Sequence, residues 1–197
     1  MDSYFTITET AEGLYKEKGS RFISLSFPLE SEDDIKPILV ELRKKYFDAR
    51  HHCYAWKLGV DEVRTRTMDD GEPSSTAGKP ILGQIVSTGL TNILIVVIRY
   101  FGGTKLGVSG LIKAYREAAA DVIRNSTIVE KNIEAFFNIS FGYETINSVM
   151  KVVKELSPNV EKQDFGNLCS MKLSIRRDQE EILTGRLLDI EGVTINK

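Results

Sequence analysis

With 197 residues, 42% apolar and 27% charged side chains, the chain has the composition of an ordinary globular protein with one large domain or two small ones. Its formal net charge of -2 excludes a molecule that attracts polyanions as a whole, so a nucleic-acid role must rest on a local basic patch. No apolar run approaches the roughly 20 residues that cross a bilayer, and the two distant cysteines, Cys53 and Cys169, exclude a disulfide framework. The N-terminus lacks the basic-then-apolar order of a signal peptide, so a cytoplasmic protein without membrane contact is expected.

In chain order, Leu14–Lys18 and Arg21–Phe27 alternate like an antiparallel strand pair around Gly19-Ser20. Ser31 can cap a helix with Asp34 at its N3 position and Ile35, Ile38, Leu39 and Leu42 as its apolar stripe. Pro37 should bend that helix or delay its start. His52–Leu58 reads as a strand, residues 59–79 as a polar loop, and Ile81, Leu82, Ile85 and Val86 as a helix. Residues 93–100 are the most buried-looking strand, and Leu111–Arg124 is a helix with Leu111, Ile112, Tyr115, Ala119 and Val122 facing the core.

The second half has a clearer rhythm. Strand Glu134–Phe141, helix Tyr143–Leu156, strand Asn159–Phe165, a Gly166-Asn167 turn, strand Leu168–Arg176, a helix from an Asp178 cap to about Ile190, and strand Val193–Asn196 follow one another. That order, βαββαβ, is the ferredoxin-like unit. The expected division is residues 1–131 and 132–197, with no Pro/Gly/Ser linker between them. The first part holds 18 basic and 18 acidic side chains and the second 8 and 10, so a basic surface is expected on the first.

Residues 99–116 carry the strongest functional signal. The strand ends in Arg99 and Tyr100, a loop with Gly102, Gly103, Gly107 and Gly110 follows, and a helix begins. Free N–H groups and a positive dipole end at such a place suit an anion. Arg99, Lys105, Lys113 and Arg116 add four basic residues and no acid. Neither a Walker A nor a Gly-x-Gly-x-x-Gly motif is present, so nucleotide hydrolysis and dinucleotide binding are not expected. A tight strand-to-helix corner explains the glycines equally well.

Two further stretches bear on chemistry. Asp69, Asp70 and Glu72 precede Ser74 and Thr76, which reads as an acid/base or metal cluster or, more simply, as a turn with Thr76 capping the next helix. Arg50-His51-His52-Cys53 places His51 and Cys53 on one strand face, but too few ligands exist for zinc, and no metal or cofactor is expected. A Cys–His nucleophile pair competes with a small core cysteine.

Ala49–Trp56, Asp69–Ser74, Thr76–Leu82 and Val97–Gly107 resemble, in order, the blocks of the IMPACT family, bacterial YigZ-like branch, and Lys18–Ile23 resembles its N-terminal block. The resemblance implies an α+β fold of two domains. The first would be an α/β two-layer sandwich on a mixed four-stranded sheet, similar to domain four of elongation factor G, and the second a ferredoxin-like domain similar to the fifth. It also implies a link to translational control and supplies no catalytic residues. Ser75 and Val108-Ser109 depart from the small residues usual in the family, and Ser109 is then free to cap the helix.

The reading is a non-enzymatic regulator of translation that binds RNA or the ribosome, with a protein partner in translational control as a further expectation. The anion-binding set is Arg50, Lys79, Arg99, Gly102, Gly103, Lys105, Lys113 and Arg116. The groove set is His51, His52, Asp69, Asp70, Glu72, Ser74 and Thr76. The alternatives are a hydrolase using the Asp/His set and a protein-interaction regulator using the open face of the second domain's sheet.

Overall fold

The computed structural model describes residues 2–166 and 168–196, so Asn167 of the expected turn lies outside the described residues. The chain forms two compact units, one of Tyr4–Lys131 and one of Asn132–Lys197 with Met1–Ser3. In chain order the first part contains β1 (Ser3–Ile7), β2 (Ala11–Glu17), β3 (Ser20–Pro28), α1 (Ile35–Lys45), β4 (His51–Leu58), β5 (Arg64–Met68), α2 (Gly78–Ser87), β6 (Ile93–Tyr100), α3 (Gly107–Asn125) and β7 (Ile128–Asn132). The remainder contains β8 (Glu134–Gly142), α4 (Ile146–Leu156), β9 (Asn159–Phe165), β10 (Leu168–Arg176), α5 (Glu180–Leu188) and β11 (Thr194–Asn196).

A five-stranded sheet in the order β2-β3-β6-β4-β5 organises the first unit, and each neighbouring pair is antiparallel. β6 is central and apolar on both faces, which requires cover on both. Ile93, Ile95 and Val97 pack with Ile81 and Ile85 of α2 and Leu111, Ala118 and Val122 of α3. Leu94, Val96 and Ile98 turn the other way, toward Trp56 and toward Ile35 and Leu42 of α1. The α+β class is as expected, with two corrections of detail. The sheet has five antiparallel strands instead of a mixed four, and α1 on its second face makes three layers instead of two.

Local chemistry sets the ends of these elements. Ser31 and Asp34 form the expected capping box, and a 3-10 turn over Glu32–Asp34 precedes α1. Pro37 thus sits in the first turn of α1, where its missing N–H costs nothing. β5 lies in what the sequence read as loop: an edge strand of alternating Arg and Thr has no apolar face to announce it. β1 and β7 pair as a separate two-stranded sheet.

In the second unit the strand order is β11-β8-β10-β9, all antiparallel, which is the ferredoxin-like arrangement of βαββαβ. Phe137, Ile139 and Phe141 of β8 and Met171 and Leu173 of β10 face Val149 and Val152 of α4 and Leu183 and Leu187 of α5. Asp178 does not cap α5, because its carboxylate is paired with Arg176 and the helix starts two residues later.

One close backbone approach positions the loop after β6. Gly102 lies against the turn between β2 and β3: its N–H donates to Ser20 Oγ at 3.1 Å, and a Cβ there would overlap the Gly19 carbonyl carbon and Ser20 nitrogen. Gly102→Ala should therefore destabilise the first unit by about 1–3 kcal/mol, as other overpacking substitutions do. Gly83→Ala, where a Cβ meets nothing within 4 Å, should be neutral or stabilising by up to about 1 kcal/mol. Denaturant unfolding of the two variants checks this, and equal stabilities would contradict it.

Candidate functional site

The stretch from Asp69 to Thr76 crosses the ends of β4, β6 and α3, and each of its carboxylates is engaged. Asp69 accepts from the N–H groups of Ser75 (2.8 Å), Ala77 (3.0 Å) and Gly78 (2.9 Å), and so caps α2 from a distance in sequence. Thr76 does not cap that helix, since its hydroxyl donates to the Pro73 carbonyl at 2.6 Å. Asp70 accepts from Arg43 Nη2 (2.8 Å) and from the His52 backbone N–H (2.7 Å), and its carbonyl lies 2.9 Å from His51 Nδ1. Glu72 Oε1 accepts from Arg99 Nη1 (2.7 Å) and from the Tyr115 hydroxyl (2.8 Å).

The Glu72–Arg99 pair is buried, with side chains 3% and 8% exposed. Removing one partner of such a pair leaves an uncompensated charge and costs about 3–5 kcal/mol. Arg99 also lies over the rings of Phe22 and Phe101, at 5.5 and 5.7 Å. It is therefore not an exposed cation, and its Nη1 is committed to Glu72. Its first task is internal.

The nucleophile reading finds no support in this geometry. Burial pushes the Cys53 thiol pKa well up, so it stays protonated at neutral pH. Its sulfur lies 3.0 Å from the Asp69 carbonyl and 3.3 Å from the Tyr115 hydroxyl, not beside an imidazole. His52 points to the other face of the sheet, where burial, and then the Arg43 charge, holds its pKa below the ordinary histidine value against the opposing pull of Asp70.

The predicted residues thus fall into two groups. His51, His52, Asp69, Asp70, Glu72 and Arg99 come together as an internal network. Lys105, Lys113 and Arg116 are exposed and form no ion pair among the described residues, as are Arg50, just before β4, and Lys79, in the first turn of α2. Gly103 and Ser74 are exposed as well. Ser109 lies inside α3, whose cap position is Leu106, so it caps nothing. Sequence reasoning missed the parts played by Tyr115 and Arg43. The signal for Tyr115 was its hydroxyl at a core-facing helix position, which obliges a partner. Nothing in the spacing of Arg43 relates it to Asp70.

Asp69 and Asp70 give the network a pH dependence. Burial raises both pKa values, but the three N–H bonds to Asp69, with the nearby Lys79 charge, outweigh it and hold that carboxyl below its usual range. Arg43 and the His52 N–H do the same for Asp70. A depressed folded pKa stabilises the fold above the ordinary carboxylate value of about 4, and that stability is lost as pH falls through the folded values. Asp69→Asn should cost about 1.5–3 kcal/mol at neutral pH and flatten the acid limb of a stability-against-pH curve. An unchanged acid limb would contradict this role.

The family model for the Impact N-terminal domain matches residues 18–123. The chain is similar to the IMPACT family member YigZ of Escherichia coli, 29% identical over 96% of this chain and 94% of that protein. Among solved structures, the crystal structure of a hypothetical protein covers 99% of this chain and 97% of its own, at 25% identity and a TM-score of 0.75. The two-domain translational regulator Yih1 aligns over 62% of this chain and 47% of its own, at 24% identity and a TM-score of 0.36. With its N-terminal domain matched from the turn between β2 and β3 into the last turns of α3, the chain belongs to the IMPACT family.

Proposed function

We propose that the protein is a non-enzymatic regulator of translation that contacts RNA, free or in the ribosome, through the cations at the start of α3. Family membership supports the regulatory role, since the family resemblance carries a link to translational control. The observation that supports the RNA contact is a separation of charge. The carboxylates of the 69–76 segment are consumed by Arg43, Arg99, Tyr115 and backbone N–H groups, while Lys105, Lys113 and Arg116 remain exposed with no ion pair among the described residues. Lys113 and Arg116 lie one turn apart on the solvent face of α3, and its first turn contains no acid. Phosphates are the ligand chemistry that such a cation set takes, through contacts that are salt-dependent and indifferent to sequence.

The same engagement of Asp69, Asp70 and Glu72 leaves none of them poised as a general acid or base, so hydrolysis by this set is not proposed. A titration of labelled single-stranded RNA at several salt concentrations tests the reading. Lys113→Glu with Arg116→Glu should weaken binding strongly and reduce the slope of log K against log salt by about 1.4, about 0.7 per lost contact to a single strand. Unchanged affinity and slope would overturn it.

A further inference from the structure

A cavity of about 350 Å³ opens at the start of α3 in the first unit. Its apolar walls come from Phe101, Leu106, Val108 and Leu111, and its charge from Lys105 and from the paired Arg99 and Glu72, which leaves a net positive lining. This is the size and mixture of a ligand site: mostly apolar walls with a few polar groups that orient the occupant.

Three observations indicate what it takes. The N-terminus of the 19-residue α3 has no side-chain cap and no acid in its first turn, which leaves its first N–H groups without a side-chain acceptor among the described residues. The Arg99 side chain is more than nine-tenths buried and lines the cavity; its Nη1 is taken by Glu72 and its Nε is closed off, so Nη2, with no partner among the described residues, is the donor left for an anion. A guanidinium donor left without an acceptor at the wall of a cavity suits an anion. Finally, Phe101 and Val108 are 58% and 59% exposed, an aromatic ring and an aliphatic side chain held open at the cavity. An inorganic anion would use the donors and leave these apolar walls bare. A lipid chain would use the walls and leave the cations unmatched.

We propose that this cavity holds one unpaired nucleotide of a single RNA strand, its base against Phe101 and Val108 and its phosphate at the α3 N-terminus between Lys105 and Arg99. The proposal rests on the RNA-binding reading above and assigns it a specific seat. Stacking on an aromatic side chain is tolerant of base identity, and the exposed Lys113 and Arg116 further along α3 would take neighbouring phosphates of the strand.

An NMR titration of the full chain with inorganic phosphate, uridine 5′-monophosphate and hexauridylate tests it. The amides of Gly107, Val108 and Ser109 and the Arg99 side chain should shift, with affinity rising by about tenfold or more at each step from phosphate to mononucleotide to hexamer. Val108→Glu changes an exposed position and puts a carboxylate where the helix dipole favours one. It should leave the melting temperature unchanged or higher and weaken hexauridylate about tenfold. Phosphate binding as tightly as the mononucleotide, the hexamer binding no tighter than the mononucleotide, or shifts remote from α3 would overturn the assignment. If Val108→Glu binds normally while the Lys113/Arg116 pair does not, the cavity assignment fails and the RNA reading stands. If neither variant affects binding, the RNA reading itself fails.

Discussion

The buried carboxylate of Glu72 is the constraint on which the site depends. A charge this deep must be paired, and its partners come from two other elements: Arg99 at the end of β6 and Tyr115 on α3. The segment that carries Glu72 is therefore tied down where the sheet meets the helix. Asp69 and Asp70 fix the same segment to α2, α1 and β4, so a stretch that looks like a flexible acidic loop is a clamp between elements. Its negative charge is spent internally, and Lys105, Lys113 and Arg116 nearby are exposed with no ion pair among the described residues.

The sheet makes this economy workable. Because β6 is apolar on both faces, helices cover it from both sides, and its last residues emerge at the edge of a rigid core. Arg99 continues the register of Ile95 and Val97 and so faces α3, where it stacks on Phe22 and meets Glu72. The Gly102 contact with Gly19 and Ser20 then turns the chain toward the start of α3. α3 serves two purposes along its length: Ala114, Tyr115 and Ala118 face the core, while Lys113 and Arg116 face solvent.

Much of this was legible in the residues. The run Ile93–Ile98, the capping box at Ser31 and Asp34, and the βαββαβ rhythm of the second unit are local patterns, and local patterns survive folding. Three blocks far apart in sequence, around His51, Asp70 and Arg99, are joined by the Asp70–His51 and Glu72–Arg99 contacts. What sequence could not show was the sense of those contacts. Arg99 looks the same in sequence whether it binds a ligand or a buried glutamate, and Asp69 the same whether it binds a metal or three backbone N–H groups. β5 was invisible because an exposed edge strand needs no hydrophobic face, and Thr76 and Ser109 were mistaken for caps because a remote Asp69 and an uncapped start took those places.

Charge neutralised inside the 69–76 clamp leaves exposed cations at the start of α3, the surface proposed to meet RNA. Photo-cross-linking of uridine-containing single-stranded RNA to the intact protein, with the attachment sites mapped by peptide mass, tests it most directly. Attachment is expected within residues 99–116. Attachment confined to residues 132–196, or none, would contradict it.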